Sequence, residues 1–228
     1  MQFAQEIGPQ LTPGFLQNVL DHYGQGQIVS WNPFTGGWTN INIYLLTSQG
    51  EFILRIYKYG VRTHLAIGLE TQVINHLYKK GLPVARAYTN QSGSYITPVN
   101  LGGKKLDLAL FSFLPGEERP HPTREDLLVI GRTLARTHLG LADFRAAHTK
   151  KYFRLKFETL RLASKISSRL KPAWVYPKVI SPSELKSLWR VDREYLLSLD
   201  RRQGSKLRAV SVIHGDFHPG NIKFEGDE

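Results

Sequence analysis

The chain has 228 residues, 41% of them hydrophobic, which is enough for one large domain or two small ones around a buried core. The absence of cysteine excludes a disulfide framework and thiolate metal sites, and no apolar run approaches the roughly 18 residues of a membrane span. The formal charge of +11 raises nucleic-acid binding, but the basic residues from Arg145 onward are mixed with Glu158, Glu184, Asp192 and Glu194 as on solvated helical faces, so nucleic acid is not expected as the main partner. Met1–Gly14 lacks a basic start followed by an apolar core, and a cytoplasmic location is expected.

In chain order, a first helix is predicted from Thr12 as N-cap and Pro13 at the first helical position, with Gly24 after its end. Ile41–Thr47 and Glu51–Tyr59 are rich in β-branched and aromatic residues and flank Ser48-Gln49-Gly50, the pattern of a β-hairpin. A helix follows over about Thr63–Lys80, closed by Gly81 and Pro83. Short strands are predicted at Tyr88–Tyr95 and Leu106–Phe113, around Gly93 and the Gly102-Gly103 turn. Beyond Pro115 the pattern is helical, over about Arg124–Leu141, Lys151–Leu170 and Ser183–Leu199. The fold class is therefore α+β, with a sheet-rich first lobe (1–113), a helical second lobe (114–228) and a cleft between them as the ligand site.

Charged residues inside apolar patterns mark candidate functional positions. Arg55 interrupts the strand Phe52–Lys58 and points to the face opposite Leu54 and Ile56, while Lys58 falls on the other face; only one of these two cations can face a cleft. On the following helix Ala66, Glu70, Val73, Ile74 and Leu77 share one arc, so Glu70 lies in the apolar stripe. An unpaired carboxylate there is costly, and an Arg55–Glu70 ion pair would satisfy both residues. The competing arrangement rotates the helix and releases Glu70 to solvent.

Near the C-terminus, Val212-Ile213-His214-Gly215-Asp216-Phe217-His218-Pro219-Gly220-Asn221-Ile222 concentrates polar residues between short apolar runs. Asp216 and Asn221 lie five apart, the spacing of a kinase catalytic loop, in which the aspartate accepts the substrate hydroxyl's proton and the asparagine oxygen holds magnesium. Two other readings compete: a tight structural loop with packed histidines, and a zinc site at His214, Asp216 and His218, which lacks companion ligand clusters.

His-Gly-Asp-Phe-His-Pro-Gly-Asn resembles the catalytic loop of the aminoglycoside phosphotransferase/choline kinase superfamily, which includes homoserine kinases of the same protein-kinase-like fold. The resemblance implies a two-lobed enzyme that transfers phosphate from ATP, with Mg2+, to a hydroxyl group of a small molecule. Asp216 would be the catalytic base, Asn221 a metal ligand, and His214 and His218 would hold the loop in shape. Gly36-Gly37-Trp38-Thr39-Asn40 resembles the phosphate-side turn, although an ordinary Gly-Gly turn is the competing reading, and Arg55 held by Glu70 would contact the phosphates. Leu110–Gly116, which contains Phe111 and Phe113, resembles the hinge whose backbone meets the adenine edge. The helix containing Gly131, Leu134, Ala135 and His138 resembles a scaffold of the second lobe, with His138 structural.

In the superfamily a further metal-binding aspartate follows on a strand after the catalytic loop, and the sequence ends at Glu228 before it. The resemblance therefore implies a C-terminally truncated chain, inactive or weakly active, with self-association through uncovered apolar surface of the second lobe. The alternative is a non-catalytic nucleotide-binding or interaction protein derived from the same fold. The acceptor is not legible, although the lack of an acidic cluster disfavours polycationic aminoglycosides.

Overall fold

The computed structural model describes residues 2–34, 40–145, 217 and 219–226. All of them belong to one compact unit formed by Met1–Ala146 and Ser211–Glu228. The helices predicted at Lys151–Leu170 and Ser183–Leu199 lie outside the described residues.

The chain opens with α1 (Gln2–Ile7) and a 3-10 turn at Gly8–Gln10, followed by α2 (Pro13–Asp21). The Thr12 hydroxyl accepts from the Phe15 backbone N–H at 3.2 Å, and Pro13 occupies the first turn where its missing N–H is harmless, so α2 starts where the sequence predicts. Strands β1 (Ile28–Phe34), β2 (Asn40–Thr47) and β3 (Gly50–Tyr57) form an antiparallel meander. After α3 (His64–Lys79) come β4 (Ala87–Tyr88), β5 (Thr97–Leu101), β6 (Lys104–Ser112) and α4 (Arg124–Gly140). The strand order is β1-β2-β3-β6-β4, with β5 also paired to β6, and every pairing is antiparallel.

Two-residue periodicity divides this sheet into two faces of different chemistry. One carries Ile41, Ile43, Leu45, Phe52, Leu54, Ile56, Leu106, Leu108 and Leu110 and is closed by Phe3, Ile7, Leu16, Val19, Leu20 and Tyr23 from the N-terminal helices. Leu54 and Ile56 are 1% and 0% exposed, so Arg55 between them is directed to the other face. That second face is smaller and mixed: Tyr57, Ala109 and Phe111 pack with Ile67 of α3 and with Ala87 and Ile96. A third cluster joins α3 to the end of α4 through Leu77, Leu141 and Phe144.

The region after α3 differs from the sequence expectation. The strand predicted at Tyr88–Tyr95 ends at Tyr88, because Asn90 folds the chain into a turn. Its Oδ1 accepts from the backbone N–H of Ser92 and Ser94 and from the Ser92 hydroxyl, at 2.7–3.1 Å, and Gly93 takes φ 79°. The next strand, β5, contains Pro98, and β1 contains Pro33. Neither strand was anticipated, and both are flanking strands, where a missing N–H costs little.

On the outer edge of the two-residue β4 a helix side chain takes the place of a neighbouring strand. Asn75 of α3 is buried, its Nδ2 donates to the Ala87 carbonyl at 2.9 Å, and its Oδ1 accepts from the Ala87 N–H at 2.9 Å. On the inner side the Ser112 N–H donates to the Arg86 carbonyl at 2.8 Å, so the backbone of this short strand is satisfied on both edges.

Candidate nucleotide site

The second sheet face brings together most of the sequence-predicted residues that are described. Arg55 on β3 lies opposite Asn42 on β2 and Ala109 on β6. Its Nη1 donates to Glu70 Oε1 at 2.8 Å and its Nε to Asn42 Oδ1 at 2.9 Å. The guanidinium carbon lies 5.0 Å from the centre of the Phe111 ring, which supports it from β6. The predicted ion pair therefore forms, held on three sides by a carboxylate, an amide and an aromatic ring. Asn40 begins β2 on the same face as Asn42, across from Tyr57.

Glu70 serves a second cation. Arg62, just before the Thr63 N-cap of α3, donates from Nη1 to Glu70 Oε2 at 2.5 Å. The Tyr57 hydroxyl donates to Oε1 at 3.3 Å. Burial, with the Glu70 carboxylate beside it, raises the Tyr57 hydroxyl well above the usual phenol range, so it stays neutral and a donor. Two guanidinium charges thus share one carboxylate, leaving a net positive patch that suits an anionic group. Arg62 is absent from the sequence-based assignment because a polar residue ahead of a helix N-cap breaks no pattern.

The stretch predicted as a hinge is held by the chain that follows the His214–Asn221 motif. Leu114–Glu117 continue from β6, and Glu117 and Phe224 exchange both backbone hydrogen bonds at 2.9 Å. Gly116 has φ 105°, and a Cβ on it would lie 2.6 Å from the Phe224 carbonyl oxygen, so only glycine fits this approach. Arg119 lies over the Phe224 ring at 4.5 Å, donates to the Gly226 carbonyl at 2.5 Å and pairs with Asp126. Asp126 also closes the capping box of α4 with Thr123, and the Thr123 N–H with Arg119 holds its carboxyl below the usual range. Phe113 packs edge to face on Tyr44 at 5.1 Å, and Lys223 Nζ sits 4.9 Å from the Phe113 ring centre while donating to the Leu114 carbonyl at 3.3 Å.

The remaining assignments fall at the limits of the described residues. Asn221 ends a 3-10 turn, Pro219–Asn221, and is exposed. Gly36, Gly37, Thr39, His214, Asp216 and His218 lie outside the described residues. His138 on α4 has a buried Nε2 with no hydrogen-bond partner among the described residues. No group of three or more His, Cys, Asp or Glu that could hold a metal occurs among the described residues.

The profile of the phosphotransferase enzyme family (APH) matches residues 30–228. The chain belongs to this phosphotransferase family. Among curated relatives, the homoserine kinase of Mesorhizobium japonicum is 33% identical over 230 aligned positions, covering 94% of this chain and 61% of that protein. The homoserine kinase of Methylobacillus flagellatus is 24% identical over 213, covering 93% and 60%. The chain thus spans about 60% of the length of the homoserine kinases that it matches along most of its own length. Among solved structures, amicoumacin kinase in complex with AMP-PNP, Ca2+ and Ami superposes with a TM-score of 0.62 at 15% identity, over 98% of this chain and 64% of that one. Spectinomycin phosphotransferase in complex with ADP and spectinomycin gives 0.57 at 14%, over 94% and 66%. These likenesses establish the kinase-like α+β fold of this phosphotransferase-family chain.

Proposed function

We propose that this phosphotransferase-family chain carries the nucleotide-binding and catalytic-loop portion of a kinase that phosphorylates the hydroxyl of a small molecule. The observation that carries the reading is the Arg55–Glu70 pair at 2.8 Å, set on the mixed face of the sheet by Asn42 and Phe111. A charged pair embedded in a strand and a helix holds its guanidinium in fixed geometry, as phosphate recognition requires. The triphosphate lies along this face with its purine against the hinge, and Arg55 contacts the phosphates. Asp216 accepts the proton of the acceptor hydroxyl as its oxygen bonds to the γ-phosphorus, and the bond to the nucleoside diphosphate breaks. Asn221 is the described candidate for holding magnesium, which neutralises phosphate charge when bound. Homoserine is the first acceptor to test, because the matched relatives at 24–33% identity are homoserine kinases.

The test is titration calorimetry of the 228-residue chain with magnesium and purine nucleoside triphosphates, beside Asp216→Ala and Asn221→Ala. Binding is expected to weaken about tenfold or more without magnesium and in Asn221→Ala, and to persist in Asp216→Ala, which loses turnover. Cooperatively folded protein that binds no nucleotide would reject the reading. Binding without phosphorylation of any amino alcohol would favour a non-catalytic nucleotide-binding protein.

A further inference from the structure

Arg55 and Lys223 stand at the two ends of one aromatic strip. Phe111 and Phe113 are two residues apart on an extended chain, so their side chains share a face and lie about 7 Å apart. The Arg55 guanidinium is 5.0 Å from the first ring and the Lys223 ammonium 4.9 Å from the second. A nucleotide has the matching layout, anionic at one end and a flat base at the other. If the phosphates lie at Arg55, the base lies beside Phe113, Leu114 and Lys223.

The position of Lys223 follows from the bridge described above. Phe224 is buried and paired with Glu117, so alternation turns Lys223 to the opposite side, where its Nζ reaches the Leu114 carbonyl. The side chain is exposed, and nothing in the core requires an ammonium there. Its chemistry is one-sided: a lysine ammonium offers three donors and no acceptor. One donor is engaged by the Leu114 carbonyl, which is also an acceptor that a base amino group would need.

We infer that Lys223 is a base-selecting residue that favours a 6-oxo purine over a 6-amino purine at the hinge, making GTP rather than ATP the preferred phosphoryl donor. Guanine presents two acceptors, O6 and N7, to a lysine, whereas adenine presents N7 beside an amino donor. The ammonium satisfies the first pattern and opposes half of the second. This inference rests on the nucleotide-site reading and adds to it the identity of the base.

Competition titrations of the 228-residue chain with magnesium and GTP, ITP or ATP test it. ITP shares the 6-oxo group and lacks the 2-amino group, so it isolates the contact in question. GTP and ITP are expected to bind about tenfold tighter than ATP, the discrimination of one well-made base contact. Lys223→Leu and Lys223→Met should bring the three within about twofold, while Arg55→Ala weakens all three alike and leaves their ratio unchanged. Equal or tighter binding of ATP by the parent chain, or an unchanged ratio in both Lys223 variants, overturns the inference while leaving the nucleotide site intact. No binding of any nucleotide by cooperatively folded protein rejects both.

Discussion

Glu70 accepts from three donors at once, two guanidiniums and a phenol, and is only 19% exposed. Removing it leaves Arg55 and Arg62 side by side without a counter-charge. Hydrogen bonds to charged groups contribute about 1.5–3 kcal/mol each where solvent is excluded, and the 29% and 47% exposure of the two arginines places the sum toward the low end. Glu70→Ala is therefore expected to destabilise the chain by about 2 kcal/mol in urea unfolding. Glu70→Gln, which keeps the shape and one acceptor, should lose less. Arg55 and Glu70 were legible in the sequence because a charge inside an apolar pattern is an anomaly that demands a partner. Arg62 and Lys223 were not, since each occupies an exposed position where any polar residue is ordinary.

At the level of elements, α3 is tied to the end of α4 by a charged clasp. Asp143 accepts from Lys80 and, at 3.0 Å, from His76 Nε2, while the Gly140 carbonyl accepts from the same two side chains at 2.8 and 3.1 Å. Because both partners of His76 Nε2 are acceptors, that nitrogen carries the proton. The Lys80 and His76 hydrogen bonds lower the Asp143 carboxyl to about 2. A depressed acid contributes stability above its unfolded value, about 3.9, and loses it as pH falls through its folded value. Thermal melts from pH 5 to pH 2 should show part of the acid-induced decline, and Asp143→Asn should remove that part while lowering the melting temperature at neutral pH.

The same scale explains where sequence reading succeeded and failed. α2 begins after the predicted Thr12 cap, and α3 and α4 begin close to their predicted starts, after side-chain caps at Thr63 and Thr123 whose chemistry is local. β1 and β5 escaped because proline and asparagine hide a strand that survives only by its place in the sheet. β4 is shorter than the strand predicted there, although Thr89–Ser94 is wholly polar and carries the Asn90 turn, and the partner that completes the strand, Asn75, comes from a helix twelve residues earlier.

Over the molecule as a whole, the β2–β3 hairpin and its neighbours were legible as an α+β first lobe, and the family match over residues 30–228 agrees with the resemblance carried by His214–Asn221. The bridge between Glu117 and Phe224 was not legible, because no local pattern reports a contact between residues more than a hundred positions apart. Through it the stretch after β6 is tied to the segment after the His214–Asn221 motif, so its geometry depends on chain far from it in sequence.

Asn75 is buried and serves the Ala87 N–H and carbonyl together. Asn75→Ala leaves both without a partner and is expected to cost about 2–6 kcal/mol in equilibrium unfolding, at roughly 1–3 kcal/mol for each buried group. The variant should also elute earlier from a sizing column as its concentration rises. A bare strand edge is a template on which a second chain can add itself. By answering Ala87 from within its own fold, the helix keeps that template from being offered, and one amide side chain guards the sheet against growing into a polymer.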